Sequence, residues 1–128
     1  MTTAQARARR TLEGVLEAWN GAPTDRLAPL LAPTYRGHTL GVPHGERDAA
    51  AYPAMIERYR QANPGVEFHV VEQFGADDRL VTRLQARRAS LTTDGQFAMS
   101  HGINIARFDT SDRLAEEWAI WSPWQDQD

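Results

Sequence analysis

The sequence predicts an α+β fold in which helices pack on one face of a curved, mostly antiparallel sheet, and three observations predict it. In the first half, Leu12, Val15, Leu16 and Trp19 fall at i, i+3, i+4 and i+7, one stripe of an amphipathic helix. After Gly65 the apolar period drops to two, the spacing of a strand with one buried face. Compact turn signals then cut that half into consecutive segments, so helices come first and an antiparallel meander follows. With 128 residues the chain has the size of one compact domain, so 1–128 is read as a single unit.

The first helix ends at Asn20-Gly21-Ala22-Pro23. Thr24 has the chemistry of an N-cap for a short second helix carrying Leu27, Leu30 and Leu31, which Pro29 limits or bends. The glycines and prolines between Pro33 and Gly45 predict a short strand followed by loop. A third helix is expected from about Asp48. It carries the stripe Tyr52, Met55, Ile56 and Tyr59, has Pro53 near its first turn, and stops at Asn63-Pro64-Gly65. Val66, Phe68, Val70 and Phe74 mark the next strand, with Glu72 out of pattern. Strands follow over 79–91, 96–108 and 113–121, separated by Thr93-Asp94-Gly95 and Asp109-Thr110-Ser111-Asp112.

Composition removes several chemistries. Without cysteine there are no disulfides, zinc ribbons or thiol nucleophiles. All fourteen basic residues are arginines, which excludes Schiff-base catalysis and the phosphate-loop lysine. Gly-x-Gly-x-x-Gly and Gly-x-Ser-x-Gly do not occur. A net charge of −3 gives no reason to expect nucleic acid or an anionic membrane as partner. No apolar run reaches membrane-spanning length and the first residues are polar, so a soluble cytoplasmic protein is expected. The four histidines share no ligand spacing, so neither a metal nor any other cofactor is expected.

The segment Gly102-Ile103-Asn104-Ile105-Ala106-Arg107-Phe108-Asp109, followed by Leu114-Ala115-Glu116-Glu117-Trp118, resembles the nuclear transport factor 2-like superfamily. Within it the chain is most similar to the SnoaL-like polyketide cyclases. Supporting stretches are Leu31-Ala32-Pro33-Thr34-Tyr35-Arg36-Gly37-His38 and Val66-Glu67-Phe68-His69-Val70-Val71-Glu72. The resemblance covers nearly the whole chain. It implies a cone-shaped barrel, its curved sheet wrapped on three N-terminal helices around one apolar pocket. Such relatives include cyclases, steroid isomerases, dehydratases, epoxide hydrolases and non-catalytic association domains, so fold does not by itself choose function.

The resemblance also places residues. His38 stands where cyclases often have His and steroid isomerases their general-base Asp; an imidazole there can take a proton near neutral pH. Asn104 stands where those isomerases keep an acidic oxyanion donor, and its amide could hold a developing oxyanion. Arg83-Leu84-Gln85 replaces the Arg-x-Asp of epoxide hydrolases. The acid that many cyclases place after the Trp is absent, those positions being Ala119 and Ser122, and the first helix lacks the isomerase tyrosine. Glu117 shares the strand parity of Trp121; the family geometry turns that set inward, where Glu117 could supply the missing acid and Trp121 a stacking wall. Arg83, Gln85 and Arg87 share one strand face, to be read either as a pocket trio for carbonyl oxygens or as a solvated surface. Tyr52 and Tyr59 are core residues whose phenol oxygens could reach a ligand.

Three functions follow. The first is a cofactor-independent cyclase, isomerase or dehydratase acting on a small apolar or aromatic carbonyl compound, with His38 as base and Asn104 at the enolate oxygen. The second is a non-catalytic small-molecule binding or association domain of the same fold. The third is an epoxide hydrolase in which His38 and Glu117 activate water. Phe97, Met99, Ile103 and Ile105 would leave the outer sheet face apolar, so a homodimer through that face is expected.

Overall fold

The computed structural model describes residues 2–127, and it is an α+β cone: one curved sheet, open at its edges, wrapped around the helical layer. Helix α1 spans Thr3–Trp19. It opens with a capping box: Gln5 N donates to Thr2 Oγ1, and Thr2 N donates to Gln5 Oε1, both at 3.1 Å. It buries Ala8, Val15 and Ala18, while Leu12, Leu16 and Trp19 of the stripe are half-buried and line the cavity. Asn20 then ties the helix end to the sheet, its amide bonding the Phe68 carbonyl and its oxygen accepting from Phe68 N.

The expected second helix is instead two 3-10 turns, Thr24–Arg26 and Ala28–Leu30. Pro29 has no N–H to give the preceding turn, so an α-helix cannot propagate there. Thr24 caps nothing; its hydroxyl donates to Glu57 at 2.7 Å. The third helix begins later than expected. Glu46–Asp48 forms strand β2, pairing with β1 (Leu31–Thr39), and helix α2 runs Tyr52–Ala62 with Pro53 in its first turn. Strand β1 tolerates Pro33 because its ladder with β6 is irregular between Leu31 and Arg36.

Strands β3 (Glu67–Ala76), β4 (Arg79–Ala89), β5 (Phe97–Phe108) and β6 (Leu114–Trp121) form the meander, and a short β7 (Gln125–Gln127) pairs with the start of β5. The order is β2-β1-β6-β5-β4-β3, with only β1–β6 parallel. A bulge between Val70 and Glu72 explains the broken alternation of β3. Before it Phe68 and Val70 face inward; after it Gln73 does, while Phe74 is turned out and left 60 % exposed.

Leu27, Leu31, Tyr35, Ile56, Leu80, Phe108 and Leu114 make the main core at one end of the cone. A smaller cluster of Val66, Phe68 and Ala86, with Trp121 and Trp124 against it, closes the other. No helix among the described residues is long and apolar enough to cross a membrane.

Candidate active site

Alternation along three neighbouring strands decides what enters the space between those two clusters. In β1, Tyr35 and Gly37 are buried while His38 takes the opposite face. In β6, Glu117 and Ala119 are buried, and Glu116 and Ile120 point away. In β5, Asn104 and Ala106 face in, and Ile103 and Ile105 face out. The cross-strand register sets Gly37 beside both Arg47 and Glu117, and Asn104 beside Ala119. A cavity of about 620 Å³ results, with apolar walls from Leu16, Trp19, Met55, Phe68, Leu84 and Trp121. Tyr52, Tyr59, Asn104 and Glu117 also line it.

Among the described residues Glu117 is the one buried carboxylate, and it is held from three sides. Asn104 Nδ2 donates to its Oε1 at 2.8 Å, Tyr35 Oη donates to its Oε2 at 2.6 Å, and an Arg47 NH2 group lies 3.5 Å from Oε2. Arg47 itself donates through Nε to Tyr35 Oη and through NH1 to Thr39 Oγ1, and its guanidinium lies 4.4 Å above the Tyr52 ring. Tyr35 stacks on Tyr52 at 5.2 Å, and Trp19 Nε1 donates to Tyr52 Oη at 2.8 Å.

Burial, with the Glu117 charge adding to it, pushes both the Tyr35 and Tyr52 hydroxyls well above the usual phenol range. Both therefore keep their protons. Burial works against the Arg47 charge, but Tyr52, Glu117 and Tyr35 outweigh it and the guanidinium stays charged. A carboxylate offers about four lone-pair sites, so two hydrogen bonds and the Arg47 ion pair leave at least one for a ligand proton. Tyr52 accepts from Trp19 and, among the described residues, has no acceptor for its own proton.

The structure moves three expected site residues off the cavity. His38 lies on the outer face, its Nε2 2.8 Å from Glu116 Oε2, its Nδ1 3.5 Å from Glu46 Oε1, and its ring stacked on Trp118. The sheet separates it from Glu117, so neither the His38–Asn104 pair nor the His38–Glu117 water-activating pair can meet one substrate. Arg83 and Gln85 are likewise outside. Leu80, Leu84 and Ala86 take the inner face of β4 because apolar side chains gain most by leaving water, and Arg83 pairs with Glu72 at 2.7 Å. Asn104 reaches the cavity, where one hydrogen of its amide goes to Glu117; its Oδ1 is buried with no partner among the described residues.

Sequence reasoning missed Arg47, Tyr35 and Trp19 as site residues, and it ranked His44, which lines the cavity from an exposed position, below His38. Tyr35 had a signal, since strand alternation gives it the face opposite His38. Arg47 had none, because its role depends on a three-residue strand found only by pairing.

The SnoaL-like domain model matches residues 12–117. No curated protein matches the chain. Among solved structures, IdmH of Streptomyces antibioticus, described as a candidate polyketide cyclase, superposes with a TM-score of 0.77 at 23% identity, covering 90% of this chain and 91% of that one. A candidate polyketide cyclase from Acidithiobacillus ferrooxidans gives 0.78 at 23% identity, covering 95% and 92%. An LEH-like epoxide hydrolase from M. tuberculosis gives 0.71 at 14% identity, covering 91% and 84%. At these identities the likeness is one of fold.

Proposed function

Because the chain belongs to the SnoaL-like domain family, and its cone encloses an apolar cavity with one buried carboxylate, we propose that it is a cofactor-independent enzyme acting on a small apolar carbonyl compound. The reaction is of cyclase, isomerase or dehydratase type. Glu117 takes a proton from the carbon next to the carbonyl, using its remaining lone pair. The C–H electron pair becomes a C=C bond and the carbonyl pair moves onto oxygen. Tyr52, whose proton is free because Trp19 supplies the hydroxyl's other hydrogen bond, donates to that oxygen. Arg47, Tyr35 and Asn104 hold the carboxylate in place. The enolate then regains a proton at another atom, attacks a second carbonyl or expels a β-hydroxyl, as the substrate's own shape dictates. The observation that carries this reading is the placement of Glu117, a buried, oriented carboxylate lining a cavity with leucine, methionine and aromatic walls.

A second reading, a non-catalytic binding domain, draws on the same contacts: a carboxylate held from three sides by the chain's own groups serves equally as a structural anchor. Proton exchange separates the two. In D2O the wild type should speed deuterium incorporation into the acetyl group of 2-acetylnaphthalene, followed by NMR. Glu117→Gln should lose that acceleration by about 100-fold or more, the usual contribution of a general base. His38→Ala should keep it. A thermal shift on ligand addition without any accelerated exchange would favour the binding domain.

A further inference from the structure

Tyr52 and Tyr59 lie on the same stripe of α2, seven residues apart, and both line the cavity. At 1.5 Å per residue, two turns of helix set them about 10 Å apart along the wall. Their surroundings repeat. The Tyr52 hydroxyl accepts from the Trp19 indole, and Tyr59 packs beside Trp124 on the Val66, Phe68 and Ala86 cluster. An indole N–H only donates, so neither tryptophan can take a phenol proton, and each phenol is left with a proton to give. No acceptor for either proton is found among the described residues. Trp124 packs on the Val66, Phe68 and Ala86 cluster beside Tyr59, under the Arg88 guanidinium at 4.2 Å, and Arg88 is bonded to buried Asn63.

We infer that the cavity takes an elongated apolar compound carrying two carbonyl oxygens about 10 Å apart, one bound by Tyr52 at the Glu117 end and the other by Tyr59 at the Trp124 end. The inference rests on reading the cavity as the substrate site, and it names the substrate class. Tyr59 is the specificity-determining residue. Walls of leucine, methionine and aromatic rings suit the body between the carbonyls, and a cavity of about 620 Å³ has room for a fused two- or three-ring compound.

The test compares the affinities of 2,6-diacetylnaphthalene and 2-acetylnaphthalene by titration calorimetry. The wild type should bind the diketone at least about tenfold more tightly, the scale of one added hydrogen bond in an apolar site. Tyr59→Phe should erase that advantage while leaving 2-acetylnaphthalene within about twofold of its wild-type affinity. Equal affinities in the wild type would overturn the inference without any variant. So would a tenfold preference that survives in Tyr59→Phe. Deuterium exchange into 2-acetylnaphthalene depends on Glu117 and Tyr52, so its loss with the preference intact would sink the catalytic reading alone. Exchange without the preference would sink this inference alone.

Discussion

A Cβ built on Gly37 would stand 2.4 Å from Tyr35 Oη and 2.6 Å from Arg47 Nε, inside both side chains. The residue is glycine because the Tyr35–Arg47–Glu117 network occupies the volume where its side chain would go. Gly37→Ala should therefore push Tyr35 and Arg47 apart, lowering stability by about 1–3 kcal/mol in urea titrations, the usual cost of overpacking. Arg47→Met removes the counter-charge of a carboxylate that stays buried. That should cost about 3–5 kcal/mol, measured the same way, and adding Glu117→Gln should recover part of it. At this scale the sequence was partly legible. Parity put Glu117 on one face with Trp121, and the family resemblance turned that face inward. His38 and Tyr35 have opposite parity on one strand, and only the partners waiting on each side, Glu116 outside and Glu117 inside, decide which of them enters the cone.

The elements carry their own consequences. Trp121 lies flat over β5 because Gly102 opposite it has no side chain; a Cβ there would meet the indole at 2.5 Å. Gly102→Ala should displace this wall and weaken binding of 2-acetylnaphthalene several-fold, with little change in circular dichroism. On the outer face of β1, β2 and β6, His38 bonds Glu116, and that hydrogen bond, with Arg107 adding to it, holds the Glu116 carboxyl below the usual carboxylate range. A folded-state value below the unfolded one stabilises the protein above the ordinary carboxylate pKa. That contribution is lost as pH falls through the folded value. His38→Gln should accordingly flatten the acid limb of the stability–pH curve below about pH 4.5, while leaving proton exchange in the cavity unchanged. The short second helix and the late start of α2 were not legible, because the choice between a helical first turn and strand β2 depends on β1 lying alongside.

For the whole molecule, the outer sheet face presents Ile103 at 48 % exposure, Ile105 at 38 % and Ile120 at 53 %, side by side on β5 and β6. Apolar neighbours of that size are an unusual load for water. We propose that a second copy of the chain covers them, giving the homodimer that the pattern of β5 leads one to expect. Sedimentation at micromolar concentration should show twice the chain mass, and Ile103→Glu with Ile105→Glu should give a folded monomer that still binds 2-acetylnaphthalene. A wild-type monomer would defeat this proposal.

By itself the sequence determined the fold class, because periodicity is local: a 3.6-residue stripe and a two-residue alternation each report one buried face, and their order along the chain makes helices on a meandering sheet. Alternation also set Glu117 with Trp121 on β6 and Asn104 opposite Ile103 and Ile105 on β5, and the family resemblance turned the Glu117 set inward. Tertiary structure alone decided the rest. The bulge in β3 turned Phe74 out and Gln73 in, and the apolar set of β4 took the inner face from Arg83 and Gln85. Burying charge stabilises only when partners arrive from elsewhere in the chain. Glu117 is therefore a site only because β1, β2 and β5 bring Tyr35, Arg47 and Asn104 to it, and no local pattern in the sequence records that meeting.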